Sequence, residues 1–289
     1  MAVRDRDLTQ LSTGLDALET PTVAKVGRGR RIWRAAWPKL LAVGLALAVW
    51  QFLVWIHWKE TYQLPPPAKV FGALFDDRGL LWESTLTTLG RAVKGFAIAL
   101  VIGVVIGALV SRIAILRAAI GSMITGLQLM PSVAWFPAAL VLFQLTEGAI
   151  IFVVVLGAAP SIANGLINGI DHIPPVLIRA GRVMGAHRFA AFRYVILPAA
   201  LPAFIGGLKQ GWAFAWRSLL AGELLVVIPG THSLGFELQF FRENLFVNDL
   251  YAGMIVIFVI GILVDTFVFG FAERAIRRRY GLVDQALAT

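Results

Sequence analysis

Six separate stretches of this sequence are apolar over about the 20 residues that a bilayer-spanning helix needs, and that recurrence restricts the fold more than any other feature. They run roughly over residues 40–56, 86–110, 118–143, 148–167, 199–227 and 251–271. A segment in lipid must satisfy its own backbone N–H and C=O groups, which makes helices the natural solution for such runs. Composition agrees, with 58% of the 289 residues hydrophobic and 15% charged. The expected fold class is an all-α integral membrane protein of about six transmembrane helices. The first apolar run follows about forty polar residues with no small-residue cleavage site behind it, so it is expected to stay in the protein as a span.

An even number of spans puts both termini on one side, and the basic residues say which. Eight Lys and Arg lie in the tail 1–39, two are Arg112 and Arg117, four lie in the loop 172–198 and four in the run Arg274 to Arg279. That is 18 of the 26, against six (Lys59, Lys69, Arg78, Arg91, Lys94, Arg242) assigned to the other side. The positive-inside rule then places both termini and the loop 172–198 on the cytoplasmic side of the membrane. The net charge of +9 is thereby read as topology and attraction to anionic lipid, with no need of nucleic acid. The resulting organisation is a cytoplasmic tail 1–39, a membrane domain 40–272 interrupted by the cytoplasmic loop 172–198, and a basic tail 273–289. Within the first tail, Leu8, Leu11, Leu15 and Leu18 recur at helical spacing and predict a short amphipathic helix.

The loop 172–198 is a polar island between apolar runs. Pro174 and Pro175 suit the first turn of a helix over about 175–184, with Asp171 upstream as its cap. Val176, Ala180, Val183 and Met184 share one face and Arg179 and Arg182 another. Gly185 is expected in the left-handed conformation that ends a helix. A second segment, from about His187 and Arg188 to Ile196, is expected to be closed by Pro198.

At these residues the sequence resembles the membrane subunits, or permeases, of ATP-binding-cassette importers. Their signature loop has Glu-Ala-Ala, three residues, Gly, nine residues, Ile, one residue and Leu-Pro. Here Gly185 is followed by nine residues and then by Val195, Ile196, Leu197 and Pro198, while Arg179 and Gly181 depart from the family's Glu and second Ala. LPPPAKVFGAL from Leu64, MPSVAWFP from Met130 and LVDTFVFGFAERAIRRRYG from Leu263 look like further segments of the branch importing nitrate, taurine and aliphatic sulfonates. The resemblance implies a MetI-like permease fold with a cytoplasmic coupling-helix loop. It implies that Val176, Arg179, Ala180, Arg182, Val183, Gly185, His187, Arg188 and Pro198 meet an ATPase subunit. It also implies a homodimer of permeases, two ATPases carrying ATP and Mg2+, and a periplasmic or lipid-anchored solute-binding protein. No cofactor is expected on this chain, and the solute is expected to be a small anion.

The sequence offers little for bond chemistry. His57, His172, His187 and His232 are scattered and suggest no metal cluster. There is no Gly-Lys pair and hence no P-loop, so any ATP is expected to be hydrolysed by another subunit. Ionisable residues within spans are costly and therefore candidates for a translocation path, which singles out Lys209, Arg217 and Glu223, with Asp265 as a structural partner. The resemblance adds that Glu223 occupies the acid of a family motif starting at Gly211. Gln128, Ser132, Asn164, Trp212 and Trp216 are candidates for the same path, near a break expected at Pro131 and Pro137. Gly103 with Gly107, and Gly165 with Gly169, are spaced for close helix packing. An ion-coupled secondary transporter using Lys209, Arg217, Glu223 and Asp265 is the alternative reading, and a membrane-embedded enzyme a third.

Overall fold

Each apolar run closes its backbone hydrogen bonds within itself. In the computed structural model, which describes residues 28–280, every regular element is accordingly a helix. The first, α1, spans Arg28–Trp55 and so draws the basic run 28–39 into the helix. It ends at His57, whose φ of 53° lets its N–H reach Val54 and that of Trp58 reach Leu53. The chain up to Trp50 and the chain from Gln51 form two units. The amphipathic helix expected around Leu8 to Leu18 lies outside the described residues.

The second unit contains α2 (Pro67–Asp76), α3 (Arg78–Arg112), α4 (Ala114–Leu129), a 3-10 turn (Ser132–Trp135) and α5 (Phe136–Phe143). Then follow α6 (Glu147–Asp171), α7 (Pro175–Val183), α8 (Phe189–Leu225), α9 (Leu234–Glu243) and α10 (Val247–Arg279). The core is built around α6, where Ile150, Val153, Val154, Ala158, Ile162 and Ala163 have no exposed surface. It packs against both α3 and α8, and glycine makes both approaches possible. A Cβ on Gly103 would meet the Ala159 carbonyl at 2.8 Å, and one on Gly165 would meet the Gly207 Cα at 2.5 Å. Backbones this close gain dispersion contact in a medium where hydrophobicity cannot drive helices together.

The third apolar run differs from a plain span. Pro131 has no N–H to continue α4, so α4 and the segment Ser132–Phe143 are bent by 106°. The pair still crosses the bundle. At its start Arg117 is bonded to Asp171 at the C-terminus of α6, at 2.8 Å, and just beyond its end Glu147, at the N-terminus of α6, is 3.2 Å from Arg91. The 25 residues of α6 separate these two points by about 37 Å.

Pro198 does not close a helix, in contrast to the expectation. It sits in the first turn of a regular segment, Leu197–Leu225, that continues Phe189–Ala191 through a π-helical stretch, Phe192–Ile196. Proline forbids an α-type bond at its own nitrogen, and widening the preceding turn lets the chain run on without one. The helix α8 is therefore a single element of 37 residues.

Candidate functional site

Between α6 and α8 the chain makes a compact turn whose shape follows from three residues. Pro175 starts α7. At its end the Gly185 N–H bonds to the Arg182 carbonyl at 3.0 Å and the Ala186 N–H to the Gly181 carbonyl at 2.9 Å, with Gly185 at φ 84°. This is the Schellman arrangement, and only glycine takes that φ at no steric cost. Gly181 lets α7 lie on α8, since a Cβ there would approach Val195 at 2.7 Å, which accounts for its replacing an alanine of the importer signature. Arg188, at φ 47°, re-aims the chain into α8.

Asp171 does not cap α7. Its carboxylate takes two hydrogen bonds from Arg117, at 2.8 and 3.1 Å, a charged bidentate pair that outcompetes a neutral cap. A guanidinium–ring contact adds to the base of the turn, with Arg112 4.6 Å from the Phe192 centroid.

The turn presents apolar side chains outward. Val183 is 89% exposed and Met184 86%, and Val176, Leu177 and Phe189 are exposed as well. Arg179, Ala180, Arg182, His187 and Arg188 are exposed around them, whereas Pro198 is half-buried. Arg179 has no carboxylate within ion-pair distance among the described residues. An exposed apolar group on a capped, rigid turn is suited to a protein partner.

The candidate path residues fall at five separate places. Gln128, Ser132 and Arg217 line one cavity of about 250 Å3 at the break after α4, together with Met130, Pro131 and Phe214. Gly157 forms part of its wall, and a Cβ there would collide with Ser218 Oγ at 2.5 Å. Trp212 and Trp216 stack on each other at 6.3 Å and turn away into an aromatic cluster with Phe96 and Phe269. Asn164 is half-buried on α6, outside that cavity. Lys209 is paired with Asp265 at 3.0 Å, as a structural partner for Asp265 requires, and Asp265 lies in a π-helical stretch of α10 (Val264–Phe269).

Glu223 belongs to a buried polar network at the opposite end from the turn. Its carboxylate accepts from Arg91 Nη1 at 3.0 Å, Thr88 Oγ1 at 2.8 Å and the Gly235 N–H at 3.1 Å. Arg91 also donates to Glu147 at 3.2 Å and Thr231 at 3.3 Å, and Thr88 accepts from the Leu234 N–H at 2.9 Å. The start of α9 thus places two backbone donors on this site, where a helix N-terminus favours negative charge. Arg91, assigned to the non-cytoplasmic side in the charge count, lies within α3 and is 3% exposed. Its position inside an apolar run was the available signal for a buried partner.

Residues 99–280 match the family described as the binding-protein-dependent transport system inner membrane component. The chain belongs to that family. Among relatives of this permease, the bicarbonate transport system permease protein CmpB of Synechococcus elongatus is 33% identical over 192 residues, covering 66% of this chain and 68% of the relative. The taurine transport system permease protein TauC of Escherichia coli is 29% identical over 269 residues, or 88% and 94% of the two chains. The nitrate import permease protein NrtB of a Synechocystis strain is 26% identical over 239 residues, or 79% and 85%. In fold the permease is similar to an inward-facing structure of the MetNI methionine transporter, with a TM-score of 0.59 and 22% identity over 70% of this chain and 98% of that one. The reading as an ion-coupled secondary transporter is not favoured by these relationships, and its four proposed coupling groups fall at three places, only Lys209 and Asp265 being together.

Proposed function

We propose that this permease works as a pair of identical chains, takes a small anion from a solute-binding protein, and couples its passage to two ATPase subunits through the turn 172–198. The anion is of the sulfonate, taurine or nitrate type, a reading supported by relatives named for taurine, nitrate and bicarbonate. The observation that carries the coupling role is the rigid turn with Val183 and Met184 directed outward. ATP and Mg2+ would be held on the partner subunits. When the ATPases close, each turn is carried with its partner, and the permease passes between two packings that open to opposite sides. The excess of Lys and Arg in the tail, the turn and Arg274 to Arg279 supports a cytoplasmic location for the turn and both termini.

Co-purification with the ATPase subunit tests this reading. Replacing Val183 and Met184 together with Asp should abolish recovery of the ATPase while leaving the permease in the membrane, because a charge in an apolar contact loses affinity without touching the spans. Undiminished recovery with the double variant overturns the coupling role of the turn.

A further inference from the structure

We propose that the crevice between α7 and the start of α8 is a socket for an acidic side chain of the ATPase subunit, Arg182 and Arg188 holding its carboxylate and Ile178, Val195 and Ile196 its aliphatic stem. The socket rests on the coupling role proposed for the turn and fixes the charge that the partner must carry there.

The crevice follows from the way α7 lies on α8 at Gly181, opposite Val195. It has a volume of about 240 Å3 and is lined by Ile178 and Arg182, one turn apart on α7, by His187 and Arg188 in the linker, and by Val195 and Ile196 on α8. Two guanidinium groups and an imidazole thus share a small space with three aliphatic side chains. No acid of this chain answers them. Between Asp171 and Glu223 the sequence has no Asp or Glu, and Asp171 is bonded to Arg117. Neither Arg182 nor Arg188 has a carboxylate within ion-pair distance among the described residues, and neither does Arg179 on the exposed surface of α7.

This make-up selects an occupant. The planar fork of an arginine matches the two oxygens of a carboxylate, and aliphatic walls suit the methylene groups that carry one in Asp or Glu. The same turn exposes Val176, Val183 and Met184. A protein seated on these apolar groups also covers the mouth of the crevice, and the loss of water there strengthens the ion pair. Continuity with the contact proposed for Val183 and Met184 makes the ATPase subunit that protein. Arg179, standing where the importer signature has glutamate, adds a third positive charge to the surface. The facing surface of the ATPase is accordingly acidic.

The test places full-length permease in nanodiscs of neutral phosphatidylcholine, or of phosphatidylcholine with phosphatidylglycerol, and measures binding of its purified ATPase subunit by biolayer interferometry. Wild type should bind in both, with an affinity that falls as NaCl rises from about 50 to about 500 mM, because salt screens the attraction. Arg182→Glu should weaken binding by about ten-fold or more, Arg182→Gln less, and Arg182→Lys, which keeps the charge but not the fork, least. Each Asp and Glu of the ATPase that the permease protects from hydrogen exchange is then changed to Arg. One of these variants should restore binding to Arg182→Glu and lose it with wild type, a reciprocal effect that misfolding of the turn does not produce. Salt-independent binding, binding that Arg182→Glu leaves unaltered, or failure of every ATPase variant to rescue overturns the socket and leaves the coupling role standing. An effect of Arg182→Glu confined to discs with phosphatidylglycerol assigns the arginines to lipid phosphate and overturns it as well. Absence of binding by wild type overturns the coupling role, and the socket with it.

Discussion

Glu223 has no exposed surface, and what keeps a carboxylate there is a set of three donors on two other elements: Arg91 and Thr88 on α3, Gly235 on α9. Removing one partner of a buried pair leaves the other uncompensated, which costs about 3–5 kcal/mol. Glu223→Ala should therefore lower the thermal unfolding midpoint of the detergent-solubilised chain sharply, and Arg91→Met combined with Glu223→Met should recover much of the loss. A double variant no more stable than the single one contradicts this account. His232, outside the spans, behaves differently. Its Nδ1 is 2.6 Å from the Glu237 carboxylate, which raises its pKa above 6.5, with a smaller contribution from Glu83. The raised value means that the pair stabilises the loop fully below the unfolded pKa and loses this as pH rises through the folded one. The unfolding midpoint should accordingly fall between about pH 6 and about pH 9 in wild type by more than in His232→Gln, by a small margin because the imidazole is half exposed. That Glu223 could not face Arg217 was legible from their spacing of six on one helix. Arg91 as the partner was not, because 132 residues separate it from Glu223 and only the packing of α3 on α8 joins them.

At the scale of elements, the turn after α6 was the most legible part. Its prolines and glycine specify backbone states that few other residues accept. Gly185→Val should strain the left-handed position by about 1–2 kcal/mol and misdirect the entry to α8, whereas Gly185→Asn should be tolerated. Uptake and ATPase recovery should both fall in the valine variant while membrane insertion persists; normal uptake would show that the αL geometry is dispensable. Gly207 gives a second element-scale prediction. With the Gly165 Cα 2.5 Å from where its Cβ would be, Gly207→Leu should separate α6 and α8 and be seen as loss of a monodisperse peak on gel filtration. The close packing at Gly103, Gly107, Gly165 and Gly169 could be read from spacing, and Gly207 with Gly211 shows the same spacing of four, a signal for the matching face of α8. Pro198 misled for a definite reason. A proline stops a helix where the turn before it is regular, and here that turn is wide.

At the scale of the molecule, membrane class and helical architecture followed from the apolar runs, five of which are long helices and one a bent pair. The break in the third apolar run was expected at Pro131 and is found there, and only its angle of 106° lay outside what the sequence could supply. The chain contains no cysteine, so single-cysteine variants report orientation without background. A membrane-impermeant maleimide applied to spheroplasts should label Leu245→Cys and leave Val183→Cys untouched until the membrane is opened, both positions being well exposed. The reverse pattern would invert the topology. The uninterrupted α8 also has a mechanical meaning. A hinge at Pro198 would let the turn swing while the spans stood still. A single rod of about 55 Å instead delivers any push on Phe189 to Leu225, two residues beyond the acid gripped by Arg91. In the coupling role proposed for it, the turn is the handle of a lever with the far-end ion pair as its bearing.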